Sequence, residues 1–218
     1  MRNIIIAPGE HYHIYNRGVN KQNIFRDSRD WSRFLFLLLY FQSIEILGHT
    51  QRLFEEFLES NGQHRVLTKI VQDIKKKRNV ELVTFCLMSN HFHLILKEVE
   101  DEGIAKYMQR VLNAYTKYYN TKYQKSGHLF QGPYQAVHVD DDQQLLHLSA
   151  YIHKNPENWK SYVWSSYSDM IIKNRWGELL KRDIILGQFK NSQQYKKFVE
   201  TSLAKEIKED MRLANTEC

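Results

Sequence analysis

The sequence predicts an α+β fold: an antiparallel sheet on the split β-α-β plan of ferredoxin-like domains, followed by an extra helix and a C-terminal helical extension. Two observations lead to this class. Stretches with strand-like alternation and stretches with helical spacing of apolar residues follow one another as strand, helix, strand, strand, helix, strand, helix. Two of the strands are separated only by a tight polar corner, which indicates a hairpin and therefore antiparallel pairing.

The first strand and helix of this plan lie near the N-terminus. Residues 11–17 alternate as a strand does, and Gly18 closes the strand. Asp27 or Ser28 then caps a helix whose apolar side chains form one stripe suited to burial against a sheet. The stripe consists of Trp31, Phe34, Leu35, Leu38 and Leu39. A second helix is predicted around residues 53–58.

The remaining elements complete the plan. They are strands over 80–87 and 91–97, a helix over 101–123 and a strand over 134–139. The acidic run 140–142 caps a last helix that we expect to reach Asn155, because Pro156 ends it. Beyond Trp164 the chain contains helical fragments without a chemical motif.

The composition of the 218 residues excludes several classes of protein. With 42% hydrophobic and 26% charged residues, the chain is globular and not disordered. Two cysteines exclude a disulfide scaffold, and the longest apolar stretch, 34–41, is too short to cross a membrane. With no signal sequence at the N-terminus, we expect a cytoplasmic protein without a membrane partner. The net charge of +6 is compatible with a polyanionic partner but does not identify one.

The strongest local signal for chemistry is the pair His91 and His93 on a predicted strand. Residues two apart on a strand point to the same face, so both imidazoles face one way while Phe92 faces the other. Such a pair is half of a divalent-metal site and needs a third ligand from another element. Surface strands often carry histidines, so the pair alone is weak evidence for a metal.

The last predicted helix carries residues that could complete this site. Tyr151 and Asn155 are four apart and share a face with His147. The Asn155 amide oxygen could ligate the metal, and the Tyr151 phenol could attack a phosphate. The alternative is that Tyr151 is a half-buried core residue and Asn155 a helix cap before proline. Spacing and composition alone favour this alternative.

Several motifs resemble those of a known family. Residues 87–96, Leu-Met-Ser-Asn-His-Phe-His-Leu-Ile-Leu, resemble the histidine-hydrophobic-histidine motif of the HUH single-tyrosine transposases. Further segments resemble signatures of the REP-associated tyrosine transposases within that family, and they occur in the same order. These segments are residues 12–18, 127–134, 151–156 and 164–167.

This resemblance implies an activity and a set of site residues. His91 and His93 match the metal-binding pair, Asn155 matches the residue that completes the metal site, and Tyr151 matches the nucleophile. It implies Mg²⁺ or Mn²⁺ as cofactor and single-stranded DNA, often beside a hairpin, as substrate. The expected reaction is DNA cleavage and rejoining, as in transposition, through a 5′-phosphotyrosine. The catalytic domain would span residues 1–160, and residues 161–218 would form the helical extension.

The sequence departs from the family pattern at three places. Ser89 replaces a frequent proline, Pro133 stands where a basic residue is common, and residues 42–79 are long enough to be an insertion. None of these changes removes an expected catalytic residue. The remaining tyrosines of the long helix have a spacing that favours core and rim packing. They are Tyr115, Tyr118, Tyr119 and Tyr123.

Weaker candidates surround the expected site. His13, on the first strand, is a candidate to support a metal ligand without touching the metal. Arg17, Lys21 and Arg26 could contact phosphates, and ordinary solvated loop charge is an equally good interpretation. A run of four basic residues consists of Lys75, Lys76, Lys77 and Arg78. This basic run could also bind DNA, but a solvated helix end is the favoured interpretation.

Two other functions compete with the transposase hypothesis. A domesticated relative could bind single-stranded DNA or a hairpin without cutting it, although a pure binder has no need for the full set of site residues. A two-histidine RNA phosphoesterase needs two separated His-x-Thr/Ser motifs, and the chain lacks such a pair. The sequence leaves open the target DNA, the formation of a homodimer and whether Tyr151 acts in its own subunit or in a partner's.

Overall fold

The structure is a computed structural model that describes residues 5–45, 48–59 and 65–203. Within these ranges the strands are β1 (His11–Arg17), β2 (Val80–Met88), β3 (His91–Glu98) and β4 (Gln135–Val139). The α-helices are α1 (Ser28–Tyr40), α2 (Thr50–Glu59), α3 (Arg65–Lys76), α4 (Gly103–Tyr123), α5 (Asp142–His153), α6 (Tyr167–Ile171), α7 (Asp183–Leu186) and α8 (Ser192–Thr201).

The four strands form one antiparallel sheet in the order β2-β3-β1-β4. Because β1 lies between the third and fourth strands, this is the split β-α-β arrangement that the sequence predicts. The α+β fold class is therefore confirmed, including the hairpin of β2 and β3, the extra helix α5 and the C-terminal helices.

The two faces of the sheet carry different side chains. Ile14, Phe92 and Leu94 are fully buried on the face that packs against α1 and α4. The opposite face carries His91 and His93 and is partly covered by α5. The alternation of β3 thus buries Phe92, Leu94 and Leu96 on one side and leaves its histidines under a single helix.

The predicted helix caps are present. Asp27 accepts a hydrogen bond from the Asp30 backbone N–H at 3.1 Å, and Asp141 accepts one from the Gln144 N–H at 2.7 Å. The prediction that the last helix reaches Asn155 is wrong by two residues, because α5 ends at His153. The residue before a proline is disfavoured in helical conformation, which accounts for the earlier end.

The residues after α5 pack closely on the sheet. The Leu87 N–H donates to the Trp164 carbonyl at 2.9 Å and the Ser166 N–H donates to the Phe85 carbonyl at 3.0 Å, which extends the free edge of β2. Helices α6, α7 and α8 bury side chains in the apolar cluster beneath α5. The division of the chain at residue 160 stays a prediction. None of the helices in the described ranges has the length and apolar character that a membrane span requires.

Part of the long segment 42–79 packs on the outside of α1. Helix α2 confirms the predicted second helix, and its Phe54 and Phe57 contact Phe36 of α1 at ring-centroid distances of 5.6 and 5.5 Å. Helix α3 ends in the basic run. Helix α2 therefore lies on the α1 side of the sheet, away from the face that carries the histidines.

Candidate active site

The histidine pair lies at the start of β3, where β1 and β3 are paired. Arg17 is the register partner of His91, and Tyr15 is the register partner of His93. His93 is only 8% exposed, while His91 is partly exposed at the edge of α5. The predicted orientation is confirmed, since the two imidazole rings contact each other at 5.2 Å while Phe92 is buried on the other face.

His91 is held between two amide side chains. Its Nδ1 lies 2.6 Å from Oδ1 of Asn90, and its Nε2 lies 3.1 Å from Oδ1 of Asn155. Both partners are amide oxygens, which only accept hydrogen bonds, so a neutral ring can donate to one of them, and the shorter contact favours Nδ1 as the nitrogen that carries the proton. The lone pair of Nε2 then faces the Asn155 oxygen, which is also an electron-pair donor.

His93 is fixed by a third histidine. Nε2 of His13 lies 2.9 Å from Nδ1 of His93, and the two rings stack at a centroid distance of 5.1 Å. Burial lowers the pKa of His13 to about 3, so this imidazole is neutral and can accept a hydrogen bond from His93. In that arrangement the Nε2 lone pair of His93 points away from His13 and is available to a ligand.

The donor set fits a divalent cation. Two neutral imidazoles and an amide oxygen are ordinary ligands for such ions, and each imidazole has a partner on its other nitrogen that sets its tautomer. Nε2 of His91 and Oδ1 of Asn155 lie 3.1 Å apart, a separation at which both atoms can bind one cation. Within the described ranges no three His, Cys, Asp or Glu side chains form a metal cluster, and the third donor here is an asparagine.

Tyr151 lies directly over the histidines. Its ring contacts His93 edge-on at a centroid distance of 5.6 Å and His13 at 6.4 Å. The side chain is partly buried against the apolar cluster beneath α5, and therefore has a restricted position. Although Asn155 lies beyond the end of α5, it still reaches His91, so the structure brings together all four predicted site residues.

The C-terminal end of α5 is anchored by the helical extension. The buried His153 contacts the Ser165 hydroxyl, with Nδ1 and Oγ 3.3 Å apart, and Lys154 donates to the Ser202 carbonyl at 2.7 Å. Ser149 shares a hydrogen bond with the hydroxyl of Tyr195 at 3.0 Å. These contacts on both sides of Tyr151 in the chain fix the helix turn that carries it.

Other predicted residues lie away from the site. His147, four residues before Tyr151 on α5, contacts Phe198 of α8 at a ring distance of 5.4 Å. The tyrosines of α4 are packing residues, as predicted. Tyr115 and Tyr119 are buried and donate to backbone carbonyls, while Tyr118 and Tyr123 donate to the buried Asp30.

Two of the loop cations lie at the site end of the sheet. Arg17 is exposed beside His91, and its guanidinium Nε donates to Gln131. Lys21 is exposed, and its backbone carbonyl accepts a hydrogen bond from the Asn90 amide at 3.2 Å. Arg26 lies over the Tyr123 ring at 4.6 Å. Positive charge therefore flanks the histidine pair on the β1 side.

The basic run lies at the opposite end of the sheet. Met88 pairs with His91 whereas Val80, just after the run, pairs with Glu98, so β3 separates the run from His91 by about 23 Å at 3.3 Å per residue. The members of the run are largely engaged within the chain. Lys75 pairs with Glu178 at 3.2 Å, Lys77 pairs with Glu45, and the buried Arg78 donates to the Glu178 carbonyl at 2.7 Å.

Sequence reasoning missed two residues of the site. Asn90 holds His91, and the only sequence signal for it is its position next to that histidine. Tyr15 lies beside His93, with ring centroids 5.8 Å apart. Strand alternation puts it on the same face as His13, so this residue could have been found. Burial raises the pKa of Tyr15, which disfavours its phenolate.

Comparisons with known proteins agree with the sequence motifs. Residues 52–155 match the family model described as transposase IS200 like. One solved structure similar to the chain is that of a REP-associated tyrosine transposase bound to a REP hairpin. The identity is 14%, the TM-score is 0.43, and the match covers 78% of this chain and 84% of that chain. No curated protein matches the sequence. Both histidines, Tyr151 and Asn155 lie within residues 52–155, so the candidate site belongs to the part of the chain that is similar to the IS200-like transposases.

Proposed function

We propose that the protein cuts and rejoins single-stranded DNA through a covalent bond between Tyr151 and a 5′-phosphate. One observation carries the proposal: the Tyr151 ring lies 5.6 Å from His93, in a site where Nε2 of His91 and Oδ1 of Asn155 are 3.1 Å apart. A buried packing role for Tyr151 does not account for this set of donors. The family match supports a DNA-processing enzyme that acts in transposition.

The chemistry is a transesterification at one phosphodiester. The Tyr151 hydroxyl loses its proton to water, and its oxygen attacks the phosphorus while the P–O3′ bond breaks. The leaving O3′ takes a proton from water, which leaves a free 3′-hydroxyl and a 5′-phosphotyrosine. Rejoining is the reverse attack by another 3′-hydroxyl. The number of phosphate ester bonds is conserved, so no nucleotide cofactor is consumed.

The protein side chains position the reacting groups. His91, His93 and Asn155 would hold the divalent cation, Mg²⁺ or Mn²⁺, beside the phosphate. When bound, this cation supplies positive charge that stabilises the phosphate oxygens during the attack. His13 and Asn90 keep the two imidazoles in the required orientation. Helix α5, anchored through His153, determines where the Tyr151 hydroxyl can approach.

The substrate proposal is single-stranded DNA, with an adjacent hairpin as the family resemblance implies. The exposed Arg17 and Lys21 beside the histidines support a polyanionic ligand at this end of the sheet. Phosphate contacts by Arg26 and by the basic run stay predictions, as do a homodimer and a cytoplasmic location.

The experiment is a covalent-adduct assay. Labelled single-stranded oligonucleotides from the genomic flanks of the gene are incubated with the full chain and Mn²⁺, and the products are run on a denaturing gel. We expect a slow-migrating adduct that is absent for Tyr151→Phe and absent with EDTA. An adduct that persists in Tyr151→Phe contradicts the assignment of the nucleophile. Binding of the oligonucleotides without any adduct would favour the non-cutting DNA-binding protein.

A further inference from the structure

The surroundings of Tyr15 differ from those of most tyrosines of this chain. It is partly exposed on the face of β1 that carries the site, and it belongs to neither apolar cluster. Its ring contacts are the imidazoles of His13 and His93, at 4.9 and 5.8 Å. Among the described residues its hydroxyl has no hydrogen-bond partner. By contrast, four other tyrosines donate a hydrogen bond from the hydroxyl to a backbone carbonyl: Tyr107, Tyr115, Tyr119 and Tyr162.

Arg17 is the next side chain on the same face of β1. It is exposed, it is the register partner of His91, and its position is fixed by the loop before β4. The Gln131 N–H donates to the Arg17 carbonyl at 2.9 Å, and the Arg17 guanidinium donates to the Gln131 side chain. The end of β1 therefore presents an aromatic ring and a guanidinium side by side, next to the two histidines.

We propose that Tyr15 and Arg17 form a nucleotide-binding subsite in which one base of single-stranded DNA stacks on the Tyr15 ring and the adjoining phosphate contacts Arg17. This inference rests on the proposed function and assigns the single-stranded DNA a position beside the histidine pair. Side chains two apart on one strand face are about 6.6 Å apart, so a single nucleotide can reach both. Every base has a π-face, so such a platform binds without selecting sequence.

The subsite explains why neither side chain has a structural role. Several core tyrosines, such as Tyr107 and Tyr115, donate to buried carbonyls, and several cations of the fold pair with buried carboxylates. Tyr15 and Arg17 do neither, because the Arg17 partner in the described residues is the neutral amide of Gln131. The ring rests against two imidazoles that are themselves fixed, so stacking on it costs little side-chain entropy.

The test measures the affinity of the full chain for a fluorescent 12-nucleotide oligothymidylate by anisotropy, in EDTA so that no cleavage occurs. We expect Tyr15→Leu to weaken binding by about 5- to 150-fold, the range seen for loss of one stacking contact. Tyr15→Phe keeps the ring and should bind within about twofold of wild type. The matched control is His11→Ala, on the same face of β1 at its other end.

Salt dependence separates the two contacts. Arg17→Gln should reduce the slope of log affinity against log salt by about 0.7, which corresponds to one phosphate contact on a single strand. Tyr15→Leu should leave this slope unchanged, whereas a general loosening of the site would also change the slope. Tyr15→Thr, a strand-compatible residue, replaces Tyr15→Leu if the thermal unfolding midpoint of the leucine variant falls.

Three results would overturn the inference. The subsite is wrong if wild type binds the oligonucleotide and Tyr15→Leu or Tyr15→Thr binds it equally well. The stacking role is wrong if Tyr15→Phe loses as much affinity as Tyr15→Leu, because the hydroxyl would then be the group that matters. If wild type itself does not bind, the proposed function fails together with the subsite, so the two failures are distinguishable.

Discussion

Nε2 of His13 lies 2.9 Å from Nδ1 of His93 across the β1–β3 pair, although the register partner of His93 is Tyr15 and not His13. The contact is therefore a diagonal one between neighbouring strands. Diagonal pairs are within reach of long and aromatic side chains. The consequence is a fixed imidazole: with His13 accepting, His93 presents its Nε2 lone pair towards the space below Tyr151.

Removing His13 should weaken metal use without removing a ligand. We expect His13→Ala to need about 10- to 100-fold more Mn²⁺ for half-maximal adduct formation, the usual effect of losing a group that orients a metal ligand. At saturating Mn²⁺ the activity should largely return. The measurement is a Mn²⁺ titration of the adduct assay, with His11→Ala as control. An unchanged titration curve would contradict the role given to His13.

Asn155 gives a complementary prediction. Asn155→Ala removes an oxygen donor 3.1 Å from His91 and should lower the adduct-forming rate at least about tenfold at limiting Mn²⁺. Asn155→Asp keeps an oxygen donor and adds charge, so it should bind the cation at least as well as wild type. The adduct assay at limiting Mn²⁺ measures the rate, and isothermal titration with Mn²⁺ measures the metal affinity of both variants. Equal metal affinity of the alanine variant and wild type would exclude Asn155 as a ligand.

His138 should make stability depend on pH. The hydrogen bond to Asp140 raises the pKa of His138 above its ordinary 6.5; partial burial opposes this, and Glu10 adds to it. Because the folded pKa is the higher one, the stabilisation is complete below pH 6.5 and is lost as the pH rises through the folded pKa. Urea unfolding of wild type and His138→Gln should differ more at pH 5.5 than at pH 8.5. A difference that grows with pH would refute this.

The basic run offers a test of fold against DNA binding. Arg78 is 7% exposed and donates to the Glu178 carbonyl, so Arg78→Ala should destabilise the protein by about 1–3 kcal/mol. The exposed Lys76 should be neutral to stability, and Lys76→Gln is the matched control. Urea unfolding measures the free energy of unfolding of each variant, and oligothymidylate anisotropy measures the affinity for DNA, which a phosphate contact would affect. A stability unchanged in Arg78→Ala would contradict its structural role.

Much of the fold could be predicted because its signals are local. The alternation of β1, the stripe of α1, the corner before His91 and the acidic cap of α5 each depend on neighbouring residues. The facing of His91 and His93 follows from strand periodicity alone. The positions of Tyr151 and Asn155 required the family resemblance, since spacing favoured a packing role for them.

The remaining features depend on contacts between distant parts of the chain. The pairing of His13 with His93 depends on the β1–β3 register, which the sequence does not specify. The contact of His147 with Phe198 depends on the packing of α8 against α5, which local sequence patterns do not specify. The basic run could not be placed because its carboxylate partners, Glu45 and Glu178, lie far from it in sequence.

The most direct test of the account is to locate the covalent bond. The adduct formed with a short flanking oligonucleotide and Mn²⁺ is digested with protease and nuclease, and mass spectrometry identifies the residue that retains a nucleotide phosphate. The account predicts a single modified residue, Tyr151, and no modified peptide after the same treatment of Tyr151→Phe. A phosphate bond on Tyr15 or on any other residue would contradict the central claim.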